Sequence, residues 1–128
     1  MEIKAYARYI RMSPRKIRLV IDMIRGKKVL EAQTILQFTT RAAVLPIAKL
    51  LNSAIANAEH NFKLDKANLF IKTIIANQGP ALKRFRPRAF GRPAGIKKRM
   101  THITIVLEDF AKKSEPKKEK EITKVTKK

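Results

Sequence analysis

The side chains most suited to chemistry in this 128-residue chain are the cations between positions 79 and 100. That stretch holds eight Lys or Arg residues and no Asp or Glu, and the carboxylate-free region extends from Lys66 to Leu107. Because the stretch carries no counter-charge of its own, we expect it to lie against a polyanion. Its cations are Lys83, Arg84, Arg86, Arg88, Arg92, Lys97, Lys98 and Arg99.

Nucleic acid is the polyanion that these residue types favour. The distal cations are mainly Arg, whose planar guanidinium group forms bidentate contacts with phosphate and stacks on bases. Phe85 and Phe90 are interleaved with them, and exposed aromatic rings among cations suit stacking on unpaired bases. A solvated, flexible loop is the alternative interpretation, but it accounts for neither the preference for Arg nor the two aromatic rings.

The elements that must position these cations are the two arms of a β-hairpin. Three prolines and three glycines between positions 79 and 100 exclude a helix there. The runs on either side, 69–75 and 102–107, are β-branched and apolar, as strands prefer. We therefore predict one long antiparallel hairpin with residues 79–100 as its protruding part. Arms of about ten residues, at about 3.3 Å per residue, give a reach of about 30 Å.

The composition limits the remaining classes of partner. The formal net charge is +20, and an apolar fraction of 45% is sufficient for the core of a single domain, residues 1–110. A membrane surface is a weaker candidate than nucleic acid, because the cations do not follow one face of an amphipathic helix. No apolar run is long enough to span a bilayer, and the N-terminus lacks the apolar core of a signal peptide. We therefore expect a cytoplasmic protein without membrane contact.

No catalytic or metal-binding constellation is visible in the sequence. The chain has no cysteine, which excludes disulfides and thiolate metal sites. His60 and His102 have no clustered carboxylate near them in sequence, and no phosphate-cradling glycine loop precedes a helix. We expect a non-enzymatic protein with no catalytic residue, no metal site and no cofactor.

The N-terminal half predicts one strand followed by three helices. Loose alternation of apolar residues indicates the strand, and apolar residues at helical spacing, with proline at a start and glycine at a stop, indicate helices. Together with the hairpin, these elements predict an α+β fold, in which a small antiparallel sheet of about three strands packs against three helices. The expected bounds are a strand over Glu2 to Ile10, helices over Ser13 to Gly26 and Val29 to Phe38, and a helix from a cap at Thr39 or Thr40 to about His60. We expect Pro46 to kink the first turns of this last helix or to delay its start to Leu45.

The first predicted helix carries four cations beside its apolar stripe. A solvated helix face is one interpretation of them. Contact with RNA is the other, because the chain has few acids to balance its cations. The four residues are Arg15, Lys16, Arg18 and Arg25.

Several segments of the chain resemble the bacterial-type L22 family of large-subunit ribosomal proteins. The resemblance covers about residues 2 to 109, and chance similarity is improbable across several independent segments in the family's order. These segments are Ser13 to Val20, Ile24 to Lys28, Ser53 to Asn61, Lys83 with Arg88 to Arg92, and His102 to Ile105.

This resemblance implies a structural role in the ribosome. Members of the family bind 23S-type ribosomal RNA and support assembly, and their hairpin tip lines the nascent-peptide exit tunnel near the macrolide site. It also implies other large-subunit proteins and the nascent polypeptide as partners. A plastid ribosome stays open as a location, because an organelle-encoded copy needs no transit peptide. The implied tunnel-lining tip is Arg88, Ala89, Phe90, Gly91, Arg92, Pro93, Ala94 and Gly95.

An architectural DNA-binding protein with β-ribbon arms is the competing interpretation, since such arms also carry Arg and a wedging Pro. Proteins of that class generally dimerise to present two arms, and no dimer seam is evident in this sequence. Co-sedimentation with the large ribosomal subunit or with the nucleoid would separate the two interpretations.

Residues 111–128 are expected to be a disordered, Lys-rich tail, because they hold eight Lys, three Glu and few apolar residues. We predict that truncation after Phe110 leaves the melting temperature nearly unchanged, as measured by circular dichroism. A decrease of more than about 5 °C would show instead that the tail packs on the domain.

Overall fold

The chain begins with one strand, continues with three helices and ends with four strands, in the computed structural model that describes residues 1–110. Two short 3₁₀ turns, Lys66–Asn68 and Ala89–Gly91, complete this part of the chain. The predicted tail lies outside the described residues. The helices and strands are β1 (Glu2–Ile10), α1 (Pro14–Ile24), α2 (Val29–Phe38), α3 (Val44–Phe62), β2 (Leu69–Gln78), β3 (Leu82–Pro87), β4 (Pro93–Lys98) and β5 (Thr101–Asp109).

β5 is the central strand of a three-stranded antiparallel sheet with the order β1-β5-β2. Its side chains alternate, with Ile103, Ile105 and Leu107 buried and Thr104 and Val106 on the more open face. Such alternation is what a sheet with one buried face requires. The prediction of an α+β fold with a small antiparallel sheet is confirmed.

The three helices cover the buried face of this sheet and form the core with it. The apolar stripe of α1 is buried as its spacing predicted. In α3, Ala54 and Ala58 are fully buried, and small side chains at such positions allow close packing. The buried residues of the two helices are Pro14, Ile17, Val20, Ile21 and Ile24 in α1, and Ile47, Leu50, Leu51, Ala54, Ile55 and Ala58 in α3.

The third helix begins at Val44, close to the delayed start at Leu45 that Pro46 predicted and well after the predicted cap. The predicted cap at Thr39 or Thr40 is wrong, because the Thr39 hydroxyl donates to the carbonyl of Ile35 at 2.7 Å and so bonds to the last turn of α2. Pro46 lies in the first turn of α3, where backbone N–H groups have no intrahelical partner. A proline at this position therefore removes no hydrogen bond from the helix.

The hairpin leaves the sheet at a tightly packed junction. The Gly79 amide donates to the Met100 carbonyl at 2.8 Å, and the Tyr9 amide donates to Nδ1 of His102 at 3.0 Å. Tyr9 has a left-handed backbone with φ of 57°, and its ring meets the imidazole edge-on with centroids 4.8 Å apart. A Cβ on Gly79 would lie 3.1 Å from Nε2 of His102. This close approach of backbone and ring favours glycine.

The two arms of the junction differ in length. Three residues, 79–81, separate β2 from β3, but only residues 99 and 100 separate β4 from β5. One extra residue on one arm is the arrangement of a β-bulge, which bends and twists a ribbon locally. β3 and β4 accordingly form a separate two-stranded sheet.

Gly79→Ala should lower the melting temperature by a few degrees, because the added methyl group would press on an imidazole ring that the Tyr9 amide holds in place. Gly95→Ala is the matched control. A Cβ at that position meets no atom within 4 Å, so alanine should be neutral or slightly stabilising. Thermal melts of the two variants test the junction, and equal melting temperatures would contradict the tight packing.

Candidate nucleic-acid interface

β3 and β4 hold the hairpin cations clear of the core. The strands pair antiparallel from Leu82 opposite Lys98 to Pro87 opposite Pro93, and every residue from 83 to 93 is exposed. The predicted protruding hairpin is therefore confirmed as an element of the fold.

The strand register divides the arm residues between two faces of different character. On one face Lys83 lies directly opposite Lys97, and Phe85, which is 77% exposed, lies opposite Gly95. Like charges directly opposite each other destabilise a ribbon, and this pair has no acidic neighbour within the hairpin. On the second face each cation lies opposite an aliphatic residue, in the pairs Leu82 with Lys98, Arg84 with Ile96, and Arg86 with Ala94.

The tip is a tight turn that presents an aromatic ring. The Arg88 amide donates to the Arg92 carbonyl at 2.9 Å across the turn Ala89–Gly91. Phe90 has a left-handed backbone with φ of 60°, a conformation that bulky residues rarely adopt, and its side chain is 98% exposed. An unfavourable backbone around a solvated ring contributes nothing to the core, which makes the tip a candidate for contact with another molecule.

Two of the four cations that the sequence assigned to the first helix make hydrogen bonds within the domain. Arg18 donates through Nε and Nη2 to the Ala76 carbonyl, at 3.2 and 3.0 Å, and Arg25 donates to the Ile74 carbonyl at 3.3 Å. Both carbonyls belong to β2, which lies at an edge of the sheet. These two arginines therefore occupy backbone groups that an edge strand would leave open.

The other two cations, Arg15 and Lys16, are exposed and have no side-chain hydrogen bond or ion pair within residues 1–110. Arg15 lines a small concavity of about 370 Å³ together with Arg18 and Arg99. Lys16 lines a larger one, of about 660 Å³, which we call the basal pocket. The structure thus brings the start of α1 to the base of the hairpin.

The basal pocket contains two cations that sequence reasoning missed, Arg11 and Arg41. It lies between the start of α1, the loop before α3 and the base of the returning arm. Arg11 and Arg41 stand outside the basic runs of the sequence, and only tertiary packing places them beside the hairpin. No local signal marked them. The hairpin cations that line this pocket are Lys97, Lys98 and Arg99.

The acidic side chains lie elsewhere. Residues 1–110 contain seven Asp and Glu residues, and none of them lines the basal pocket. Asp22 pairs with Arg25 at 2.9 Å. On the more open face of the sheet, a hydrogen bond from Lys72 and the charge of that ammonium group lower the pKa of the Glu2 carboxyl. The same hydrogen bond raises the pKa of Lys72.

Two further observations bear on the class of ligand. Within residues 1–110, no three His, Cys, Asp or Glu side chains come together as ligands of a metal ion would. Of the three helices in this part of the chain, none has the length and apolar character needed to cross a membrane.

Sequence comparison relates the chain to ribosomal proteins. The family model described as Ribosomal protein L22p/L17e matches residues 5–108. The chain is 55% identical over 106 residues to large ribosomal subunit protein uL22 of Desulfitobacterium hafniense (strain DSM 10664 / DCB-2), covering 83% of this chain and 93% of that protein. It is 53% identical over 111 residues to large ribosomal subunit protein uL22 of Clostridium novyi (strain NT), covering 87% and 100% respectively. The chain therefore belongs to the ribosomal protein L22p/L17e family.

Proposed function

We propose that the chain, a structural constituent of the large subunit of the cytoplasmic ribosome, binds 23S-type ribosomal RNA through its hairpin and the basic surface at the hairpin base. The observation that carries this proposal is the charge of the hairpin. All eight cations between positions 79 and 100 are exposed, and none pairs with a carboxylate within residues 1–110. RNA phosphates would supply the counter-charge that the domain lacks.

Different parts of the basic surface would contribute in different ways. The arm cations Lys83, Arg84 and Arg86 lie on the exposed, paired strand β3 and would contact phosphates along the RNA backbone. The exposed ring of Phe85 would stack on an unpaired base. Arg18 and Arg25 already use part of their guanidinium groups within the domain, so contact with RNA would use their remaining donors.

The tip, Arg88 to Gly95, would line the nascent-peptide exit tunnel, as in the family that the chain belongs to. Two features of the turn support this proposal. Phe90 is almost fully exposed, and the residues around it make no contribution to the buried core. The nascent polypeptide and other large-subunit proteins would then be further partners of the chain. The family consists of structural ribosomal proteins, so we propose no catalytic role and no membrane contact.

RNA binding should depend steeply on salt concentration. Each neutralised phosphate contributes about 0.7 to 0.9 to the slope of log affinity against log salt, so about six engaged hairpin cations would contribute about 4 to 5. Changing four of them to Gln should reduce the slope by about 3. Filter binding of 23S-type rRNA at several salt concentrations measures this. The four substitutions are Arg84→Gln, Arg86→Gln, Lys97→Gln and Lys98→Gln.

A variant with the same loss of charge provides the control for this measurement. It carries four Lys-to-Gln changes outside the hairpin and should nearly keep the wild-type slope. If the hairpin variant and this control have equal slopes, the RNA contacts lie elsewhere on the protein. The control substitutions are Lys4→Gln, Lys49→Gln, Lys63→Gln and Lys66→Gln.

Deletion of residues 90–93 should preserve the stability of the free domain and allow incorporation into large subunits, because the tip makes no core contact and the basal cations remain. It should change macrolide sensitivity or nascent-chain stalling, because the tunnel would be wider at the missing turn. The measurement is to purify mutant subunits, quantify occupancy by the protein and record both responses. Phe90→Ser, which keeps the length of the turn, separates loss of the ring from loss of the turn. Full occupancy with both responses unchanged would rule out a tunnel-lining tip.

A further inference from the structure

The basal pocket has a charge distribution that the domain alone does not balance. Six cations line it, and they come from three separate parts of the chain: the start of α1, the loop before α3 and the base of the hairpin. No Asp or Glu is among its lining residues. The six are Arg11, Lys16, Arg41, Lys97, Lys98 and Arg99.

These six side chains are not engaged within the described part of the protein. Each is exposed, and none has a side-chain hydrogen bond or an ion pair within residues 1–110. Arg18 and Arg25, only a few residues away in sequence, differ because backbone carbonyls of β2 hold their guanidinium groups. Residues with free donors therefore line the pocket, whereas Arg18 and Arg25 use their donors within the domain.

The shape of the pocket adds to the effect of its charges. Its volume, about 660 Å³, is in the range of about 300 to 1,000 Å³ that small-ligand sites have. A cleft lined by charges of one sign focuses the electrostatic field and attracts counter-ions.

Ser13 also lines the pocket, and its hydroxyl makes no capping hydrogen bond at the start of α1. The helix dipole there adds positive potential to that of the cations.

The chemistry of the lining favours phosphate as the ligand. The only apolar side chains in the pocket are those of Met12, Ala42 and Ala43, so no aromatic ring is present for a base to stack on. No carboxylate or amide side chain is present to read the edge of cytosine or adenine. Guanidinium and ammonium groups donate to phosphate oxygens without regard to sequence.

We propose that the basal pocket binds phosphates of an RNA strand where its backbone bends around the base of the hairpin, with Arg11 and Arg41 as phosphate-binding residues. This inference rests on the proposed rRNA binding and adds the site that anchors the hairpin base. An RNA strand that lay straight along the arms of the hairpin would contact cations on one side only. Cations on three walls of a concavity instead surround a phosphate group that projects into it.

Arg11→Gln with Arg41→Gln tests the proposal. Both side chains are exposed and unpaired within residues 1–110, so thermal melts of the variant should match the wild type. Loss of two phosphate contacts should reduce the salt slope for 23S-type rRNA by about 1.4 to 1.8. Lys4→Gln with Lys49→Gln removes the same charge from outside the pocket and should leave the slope near the wild-type value. Equal slopes for the two double variants would overturn the inference.

A second experiment locates the bound RNA directly. Because the chain has no cysteine, a single introduced cysteine can be labelled at a chosen position. An iron chelate attached at Arg11→Cys or Arg41→Cys would cleave nearby RNA through hydroxyl radicals. Because both positions line one pocket, the two probes should cleave shared nucleotides. A probe at Lys49→Cys should not cleave them. Cleavage sites without overlap between positions 11 and 41 would overturn the single pocket.

These experiments separate a failure of the proposed function from a failure of the basal phosphate site. If the wild-type protein shows no salt-dependent binding to 23S-type rRNA, the proposed function is wrong. If the wild type binds and the hairpin variant loses slope, but the Arg11 and Arg41 variant matches its control, only the basal phosphate site is wrong.

Discussion

The antiparallel pairing of β2 with β5 is the interaction on which both the core and the hairpin depend. Ile71 lies opposite Leu107 and Ile74 lies opposite Ile105, and all four side chains are buried against the helices. Such cross-strand apolar pairs are a main source of sheet stability. The same two strands continue into the hairpin arms. A single pair of strands therefore stabilises the domain and directs its cations outward.

A buried hydroxyl connects the start of β5, at the base of the hairpin, to the basic surface. Thr101, at the start of β5, is fully buried and donates through its hydroxyl to the Met12 carbonyl at 2.7 Å. Met12 lies in the link between β1 and α1 and lines the basal pocket. A buried hydrogen bond is costly to break, because its partners would be left unsatisfied away from water. The bond consequently fixes the start of α1, with Lys16, relative to the returning arm of the hairpin.

The elements with regular local patterns were predictable from the sequence, and those set by tertiary contacts were not. Alternation gave the bounds of β1, and the segment from Pro14 to Gly26 carries both a start and a stop signal for α1. The cap of α3 was misplaced because the hydroxyl of Thr39 bonds backward to α2 and not forward as a cap. Hydroxyl side chains near helix ends have both options, and sequence does not distinguish them.

The cations of the basic surface also divide into those that local sequence predicts and those that only tertiary contacts bring together. The hairpin cations were predictable because they are contiguous and lack acidic neighbours in the sequence. Arg11 and Arg41 were not, because their proximity depends on how α1, α3 and the hairpin pack. Arg18 illustrates the converse case: helical spacing placed it on the surface, but only the structure shows its guanidinium on a β2 carbonyl. Residue type thus identifies a hydrogen-bond donor, and the tertiary structure determines which acceptor it reaches.

The opposition of Lys83 and Lys97 disfavours the paired arms of the hairpin when no counter-charge is present. Two ammonium groups on the same face of a two-stranded ribbon repel each other, and an isolated ribbon is only marginally stable in water. A phosphate between them would replace repulsion with two attractive contacts. If the hairpin binds RNA as proposed, closing of the arms and binding of RNA would be reciprocally coupled, and each would favour the other by the same free energy. During assembly, we expect RNA to act as a template that orders the hairpin as it is bound.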